Sequence, residues 1–163
     1  MKTIIVNKDT LLYDEFKFKC SIGKKGITSK KIEGDKKTPR GTYNLGPIYV
    51  RKDRVPELLT KLKQVKIKKN LGWCDDSSSR FYNRPMKVNK KIKCEKLFRK
   101  NHNYNILIPI EYNFKKPIEN KGSAIFLHLT KNYKKTLGCI TLKEKDMIIL
   151  LKLINKKTKI KII

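Results

Sequence analysis

Acidic side chains are scarce in this chain: 14 Asp and Glu stand against 41 Lys and Arg, a formal net charge of +27 at pH 7. Such a field favours polyanions, so nucleic acid, an anionic membrane surface or an anionic cell-wall polymer fit as partners. Arginine is scarce as well. Only Arg40, Arg51, Arg54, Arg80, Arg84 and Arg99 carry the planar fork that reads base edges bidentately, so no sequence-specific nucleic-acid partner is expected. The longest uninterrupted apolar run, Met147 to Leu151, falls far short of the ~20 residues a membrane span needs, and none is expected. Near the start only Ile4, Ile5 and Val6 are consecutively apolar, which is too little for an export leader of the usual kind. Cys20, Cys74, Cys94 and Cys139 form no C-x-x-C pair, so neither a zinc site nor a dithiol motif is written here, and no metal or cofactor is expected.

A chain of 163 residues suits one domain, residues 1–163, able to bury ~70% of its unfolded surface without disulfide or metal staples, and a monomer is expected. Short β-branched or aromatic runs bounded by Gly, Asn, Asp and Lys predict strands over 2–6, 15–22, 41–51, 104–113, 123–129 and 159–163. In one of them Phe16, Phe18 and Cys20 alternate with Glu15, Lys17 and Lys19, as a half-buried strand requires. Val55, Leu58, Leu59 and Leu62 follow Asp53 and Pro56 at helical spacing, which predicts an amphipathic helix capped by Asp53. Thr141 and Glu144 match a capping box ahead of Met147, Leu150, Leu151 and Ile154, which predicts a second helix. With no regular βαβ alternation, the pattern is a mainly β domain with two attached helices. The Lys-rich stretches 61–69 and 87–96 carry spaced apolar residues and read as exposed faces and loops.

His128 ends an apolar strand and is followed, after a short polar loop, by Thr136-Leu-Gly-Cys139. Folded as a symmetric antiparallel hairpin, this segment would set His128 opposite Cys139 with Cβ atoms ~5 Å apart. An imidazole beside a thiol can take its proton and release a nucleophilic thiolate. Gly138 would let the backbone approach a substrate closely, with nearby N–H groups stabilising an oxyanion. The competing reading is a satisfied core histidine and a small buried cysteine.

Ala124-Ile-Phe-Leu-His-Leu-Thr, followed by Thr136-Leu-Gly-Cys-Ile-Thr-Leu and the terminal helix, resembles the catalytic signature of the L,D-transpeptidase (YkuD-type) family. Gly34-Asp-Lys-Lys-Thr-Pro-Arg-Gly-Thr-Tyr43 resembles a second block of that family, and Gly72-Trp-Cys-Asp-Asp-Ser with Tyr82-Asn-Arg-Pro a third. The resemblance implies a β-sandwich and thiol acyl transfer on peptidoglycan stem peptides. Cys139 would be the nucleophile and His128 the base, oriented by a backbone carbonyl near Leu129. Backbone N–H groups of residues 137–139, Gly138 included, would form the oxyanion hole. The substrate class implies work in the cell envelope, or on wall precursors in the cytoplasm. Where many members carry Ser-His-Gly-Cys, this chain has Thr136 and Leu137, and Thr141 and Leu142 stand where an arginine often holds a substrate carboxylate. Arg84 or Arg40 would have to supply that charge.

Trp73 with Asp75 and Asp76 would line a substrate groove, the aspartates answering an amino group, with Tyr82, Arg84, Thr136 and Leu137 as further contacts. For Trp73 the alternative is a core tryptophan beside a solvated turn. Thr38, Pro39 and Gly41 read as a turn that launches a strand. Two other classes stand beside the peptidoglycan enzyme. One is a cysteine hydrolase on another amide. The other is a basic module holding single-stranded nucleic acid through charge and the aromatics Phe16, Phe18, Phe81 and Tyr82.

Overall fold

The computed structural model describes residues 2–163. In chain order the strands begin with β1 (Thr3–Asn7), β2 (Thr10–Tyr13), β3 (Phe16–Lys19), β4 (Ile27–Thr28), β5 (Thr38–Pro39), β6 (Gly41–Asn44), β7 (Ile48–Val50) and β8 (Gln64–Lys66). There follow β9 (Leu71–Cys74), β10 (Pro85–Lys87), β11 (Cys94–Lys96), β12 (Ile106–Pro109), β13 (Phe126–Leu129), β14 (Ile140–Leu142), the helix α1 (Glu144–Leu153) and β15 (Lys159–Ile162).

Two five-stranded sheets carry the architecture, one in the order β3-β2-β1-β15-β6 and one in the order β14-β13-β12-β7-β8. Alternation explains why they pack. Ile4 and Val6 of β1 stand level with Ile160 and Ile162 of the parallel β15, and all four are buried while Lys159 and Lys161 are exposed. Facing them from the second sheet are Ile48, Val50, Ile106, Ile108, Leu127, Leu129, Ile140 and Leu142, which close one continuous apolar core. The predicted run 41–51 is split at Gly46-Pro47, so that β6 pairs with β15 and β7 with β12. One segment thereby contributes to both sheets of a mainly β sandwich.

The terminal helix buries Met147, Leu150 and Leu151 in that core, as its spacing predicts. Its cap differs from the expected box. Thr141 lies inside β14, its hydroxyl shared with Ser21 at 2.5 Å, and the N-cap is Lys143, which makes no side-chain cap bond. The helix expected over 55–62 does not form. The Asp53 carboxylate is taken up by Nε and Nη2 of Arg51 at 2.9 and 2.7 Å, leaving no side-chain cap. Val55, Leu58 and Leu62 still reach the core from an irregular segment, which Gln64 pins by donating to the Leu58 carbonyl at 3.0 Å.

A third sheet, β10-β9-β11, was not visible in the hydrophobic pattern. Its strands Pro85–Lys87 and Cys94–Lys96 are short, Lys-bearing and half-buried or exposed. Trp73 and Leu97 from this region join Tyr49, Leu107 and Phe126 in a second apolar cluster.

Candidate active site

The second five-stranded sheet has two different faces, and period-two alternation sorts its residues between them. Leu127, Leu129, Ile140 and Leu142 point into the core beneath α1, while Ala124, Phe126 and Cys139 belong to the cluster on the opposite side. His128 shares the parity of Phe126 and therefore that second face. The predicted hairpin is absent. β13 and β14 run parallel, with Leu127 opposite Ile140 and His128 opposite Thr141. Cys139, one residue ahead of β14, comes level with Phe126, whose backbone N–H donates to Sγ at 3.3 Å. His128 thus lies two residue steps, ~6.6 Å, further along the neighbouring strand rather than directly across. Both side chains line one cleft of about 970 Å³.

The turn that delivers Cys139 is built by two threonines. Thr136 Oγ1 donates to the Cys139 carbonyl at 2.6 Å and accepts from the Gly138 N–H at 3.1 Å. Thr38 is fully buried; its hydroxyl donates to the Gly138 carbonyl at 2.8 Å and accepts from the Gly23 N–H at 2.9 Å. Gly138 has φ +144°, and a Cβ there would stand 2.9 Å from the Lys37 carbonyl oxygen, so this position admits only glycine without strain. Thr38 is presented by a loop knotted around Asp35, which accepts from the N–H groups of Ile32 and Lys37 and from the Lys31 ammonium. Burial raises the Asp35 carboxyl, but those bonds outweigh it and hold the group below the usual carboxylate range. The Gly34–Tyr43 block, which contains the turn expected at Thr38, Pro39 and Gly41, thus braces the segment that carries Cys139.

Sγ of Cys139 donates to the Ala124 carbonyl at 3.2 Å. Ala124 is itself held at φ +52°, an uncommon conformation for a residue with a Cβ, with its N–H donating to Asn83 Oδ1 at 3.0 Å. Burial and then the Glu95 carboxylate push the Cys139 thiol up to about 12. Nδ1 of His128 lies 2.9 Å from the Leu129 carbonyl oxygen. A carbonyl only accepts, so Nδ1 carries the hydrogen and Nε2 keeps its lone pair. Burial lowers this imidazole to about 4, with the Leu129 carbonyl opposing. The resting pair is therefore a neutral base and a protonated thiol.

Tyr104 stands edge-on to the His128 ring with centroids 4.9 Å apart, and its hydroxyl donates to Glu95. Arg99 donates to the same Glu95 oxygen at 2.7 Å and lies 3.8 Å over the Tyr104 ring. Nothing in the sequence assigns Glu95, Arg99 or Tyr104 to the site, and Thr38 is marked there only as part of a turn. Each reaches the site from a distant segment, and the parity of Tyr104 with Ile106 and Ile108 would have put it on the opposite face, where those two join the core.

Of the sequence-predicted contacts, His128, Leu129, Thr136, Leu137, Gly138 and Cys139 line the cleft, Leu137 being 68% exposed. Trp73, Asp76, Tyr82 and Arg84 do not. Trp73 is 2% exposed, edge-on to Phe126 at 5.1 Å, and donates Nε1–H to Asn83 at 2.9 Å, so it supports the strand behind the thiol instead of meeting a substrate. Tyr82 is buried and donates to Glu33. Asp76 is consumed by Ser78, whose hydroxyl and N–H both donate to Oδ1. Arg84 donates to the Lys115 carbonyl at 3.1 Å, and Arg40 also lies outside the cleft lining. Asp75, the neighbour of Asp76, does line it. Of the four interleaved aromatics, Phe18 and Tyr82 are buried, Phe16 is partly buried and Phe81 is exposed. Among the described residues no three His, Cys, Asp or Glu converge as a metal site, and no helix is long and apolar enough to cross a membrane.

Two solved structures share the architecture. The structure of Bd1075 from Bdellovibrio bacteriovorus superposes with a TM-score of 0.53 at 17% identity, covering 99% of this chain and 47% of that one. The helical cell shape determining protein Pgp2 of Campylobacter jejuni, as a K307A mutant, superposes with a TM-score of 0.50 at 17% identity and the same coverage. This chain thus spans about half the length of the solved structures it matches. No curated protein sequence matches it. A sequence profile of the L,D-transpeptidase catalytic domain, YkuD, matches residues 1–162 and so takes in both the thiol turn and the Asp35 loop that braces it. On that match, over a sandwich of the same architecture, the chain belongs to the L,D-transpeptidase catalytic domain family.

Proposed function

We propose that residues 1–163 form one catalytic domain that cleaves and transfers peptidoglycan stem peptides through a thioester on Cys139. The observation that supports this reading is that one cleft is lined both by the Cys139 thiol and by an imidazole whose Nδ1–H is fixed on the Leu129 carbonyl at 2.9 Å, leaving Nε2 to accept a proton. Sγ attacks the carbonyl between the diamino acid's L-centre and the terminal D-Ala as its proton passes to His128. The Gly138 N–H is already bonded to Thr136. The N–H groups of Leu137 and Cys139 make no hydrogen bond among the described residues, and these face the task of holding the oxyanion. Collapse of the tetrahedral adduct breaks the C–N bond, and D-Ala departs with the proton held by His128. An acceptor amine then attacks the thioester, yields its proton to His128 and regenerates the thiol, giving a crosslink. Water in its place gives a carboxypeptidase. Leu137 lends the cleft an apolar wall where many relatives have an imidazole, so the acceptor is held without that second ring.

The substrate places this work in the cell envelope, where the net charge of +27 favours anionic wall polymers. A disaccharide-tetrapeptide incubated with the wild-type protein should lose D-Ala and yield a crosslinked dimer or a tripeptide, the two products separating transfer from hydrolysis. Equal D-Ala release by Cys139→Ser and wild type would remove Cys139 from the reaction.

A further inference from the structure

Eight Lys and Arg side chains line the cleft against three acids, Glu33, Asp75 and Glu95. The cleft is therefore poised for an anion, and its cations are not equivalent. The Lys31 ammonium is buried and committed to Asp35 and the Ile32 carbonyl. Lys93 lies 3.5 Å from Asp75. Arg54 is tied to the Asn101 carbonyl and to Asn105. Lysines 100, 131, 134 and 135 are point charges on flexible stems.

Arg99 alone is mounted as a rigid plane. Its Nε donates to the Lys96 carbonyl at 3.0 Å, its Nη2 to Glu95 at 2.7 Å, and its face lies 3.8 Å over Tyr104. Nη1 makes no hydrogen bond among the described residues, and the side chain is 32% exposed to the cleft. Tyr104, 4% exposed, contacts both this guanidinium and the His128 ring. Arg99 over the Tyr104 ring and Tyr104 edge-on to His128 thus form one contiguous run of contacts, with a free N–H edge at one end and the imidazole at the other. The charge of Arg99 also bears on the reacting pair, favouring the Cys139 thiolate and disfavouring a charged His128.

We propose that Arg99 is the carboxylate-reading residue of the cleft, its Nη1 edge binding the carboxylate that sits one residue beyond the scissile carbonyl, while Tyr104 and Glu95 hold the fork in plane. Resting on the assignment of Cys139 as nucleophile, this names what selects the substrate's end: a free C-terminal carboxylate in place of an amide. A charge-assisted bond of this kind is worth ~1.5–3 kcal/mol, roughly 10- to 100-fold in kcat/KM.

The test compares disaccharide-tetrapeptide with its C-terminal amide. Wild type should favour the acid at least tenfold in kcat/KM, and Arg99→Gln should bring that ratio close to one. Arg99→Lys keeps a charge and an apolar stem on Tyr104 but lacks the fork, and should lower the ratio at least threefold. Lys100→Gln should leave it as in wild type. In parallel, Cys139 is alkylated with iodoacetate and with iodoacetamide; each forms an S–C bond and expels iodide, and they differ by one carboxylate. The iodoacetate-to-iodoacetamide rate ratio, mapped to the Cys139 peptide, should fall at least fivefold in Arg99→Gln. That ratio needs no peptide turnover, so a protein inert to both peptides fails the peptidoglycan reading while the alkylation ratio still decides Arg99. Ratios unchanged in folded Arg99→Gln and Arg99→Lys overturn the proposal, as does an equal loss in Lys100→Gln.

Discussion

The proton of the resting site belongs on sulfur, and this has a measurable signature. Burial and the Glu95 carboxylate push Cys139 up to about 12, whereas burial brings His128 down to about 4. At pH 7 a thiol titrating near 12 is ionised in roughly one molecule in 10⁵, against about one in 100 for a thiol near 9, a difference of ~1,000-fold in alkylation rate before steric access is counted. Iodoacetamide labelling, resolved by peptide mass across pH 6 to 10, should therefore show Cys139 reacting tenfold faster per pH unit with no levelling near neutrality. Cys94, half-buried and raised less, serves as the internal reference. His128→Gln should leave this profile nearly unchanged while abolishing turnover, because the base acts during attack and not by storing a thiolate. A plateau with an apparent pKa below about 7, lost in His128→Gln, would refute the reasoning and establish a preformed thiolate–imidazolium pair.

Three further outcomes follow from the same contacts. His128 titrates near 4 when folded and near 6.5 when unfolded, so its contribution is complete above pH 6.5 and is lost as pH falls toward 4, roughly 3 kcal/mol in all; urea midpoints should show that acid slope flattened in His128→Gln, and identical slopes would contradict it. Thr38→Val keeps the side-chain shape but strands the Gly23 N–H and the Gly138 carbonyl, a cost of roughly 2–4 kcal/mol, and displacement of the thiol turn should lower kcat at least tenfold with KM little changed; an unaltered kcat would detach Thr38 from the site. Asn83 accepts from Trp73 and Ala124, donates to the carbonyls of Tyr112 and Asn113, and sits at φ +55°. Asn83→Ala should cost about 3–5 kcal/mol by thermal or urea unfolding, and Asn83→Gly, which relieves only the backbone, should recover ~1 kcal/mol.

Where a residue's role follows from its immediate neighbours, the sequence carried it. Alternation in Phe16 to Cys20 and the spacing of Met147, Leu150 and Leu151 translate directly into a half-buried strand and a packed helix, because each pattern repeats within one element. The 55–62 segment shows the limit. Its apolar residues have helical spacing, but Arg51 takes the carboxylate that would have capped it, and two partners two residues apart outcompete a nascent helix. The His128–Cys139 loop is ambiguous for a different reason. Ten residues permit either a hairpin or a return to a parallel neighbour, and the bonds from Thr38 and Gly23, a hundred residues upstream, decide for the latter. The motif blocks singled out Cys139, His128 and the Leu129 carbonyl, which the fold brings to one cleft. They also drew Trp73, Asp76, Tyr82 and Arg84 toward a groove, although β9 turns Trp73 into the core and leaves Asp75 at the cleft. Glu95, Arg99 and Tyr104 were silent because a charged residue on a short Lys-rich strand looks like any solvated face until the chain brings it beside an imidazole.

The most direct test of the central claim is intact-protein mass spectrometry of the wild type and Cys139→Ala, quenched in acid during incubation with a disaccharide-tetrapeptide. The account predicts a wild-type adduct heavier by the substrate less D-Ala, mapped to the Cys139 peptide, released by hydroxylamine and absent from Cys139→Ala. D-Ala release without any such adduct, or an adduct that persists in Cys139→Ala, would contradict a thioester on this cysteine.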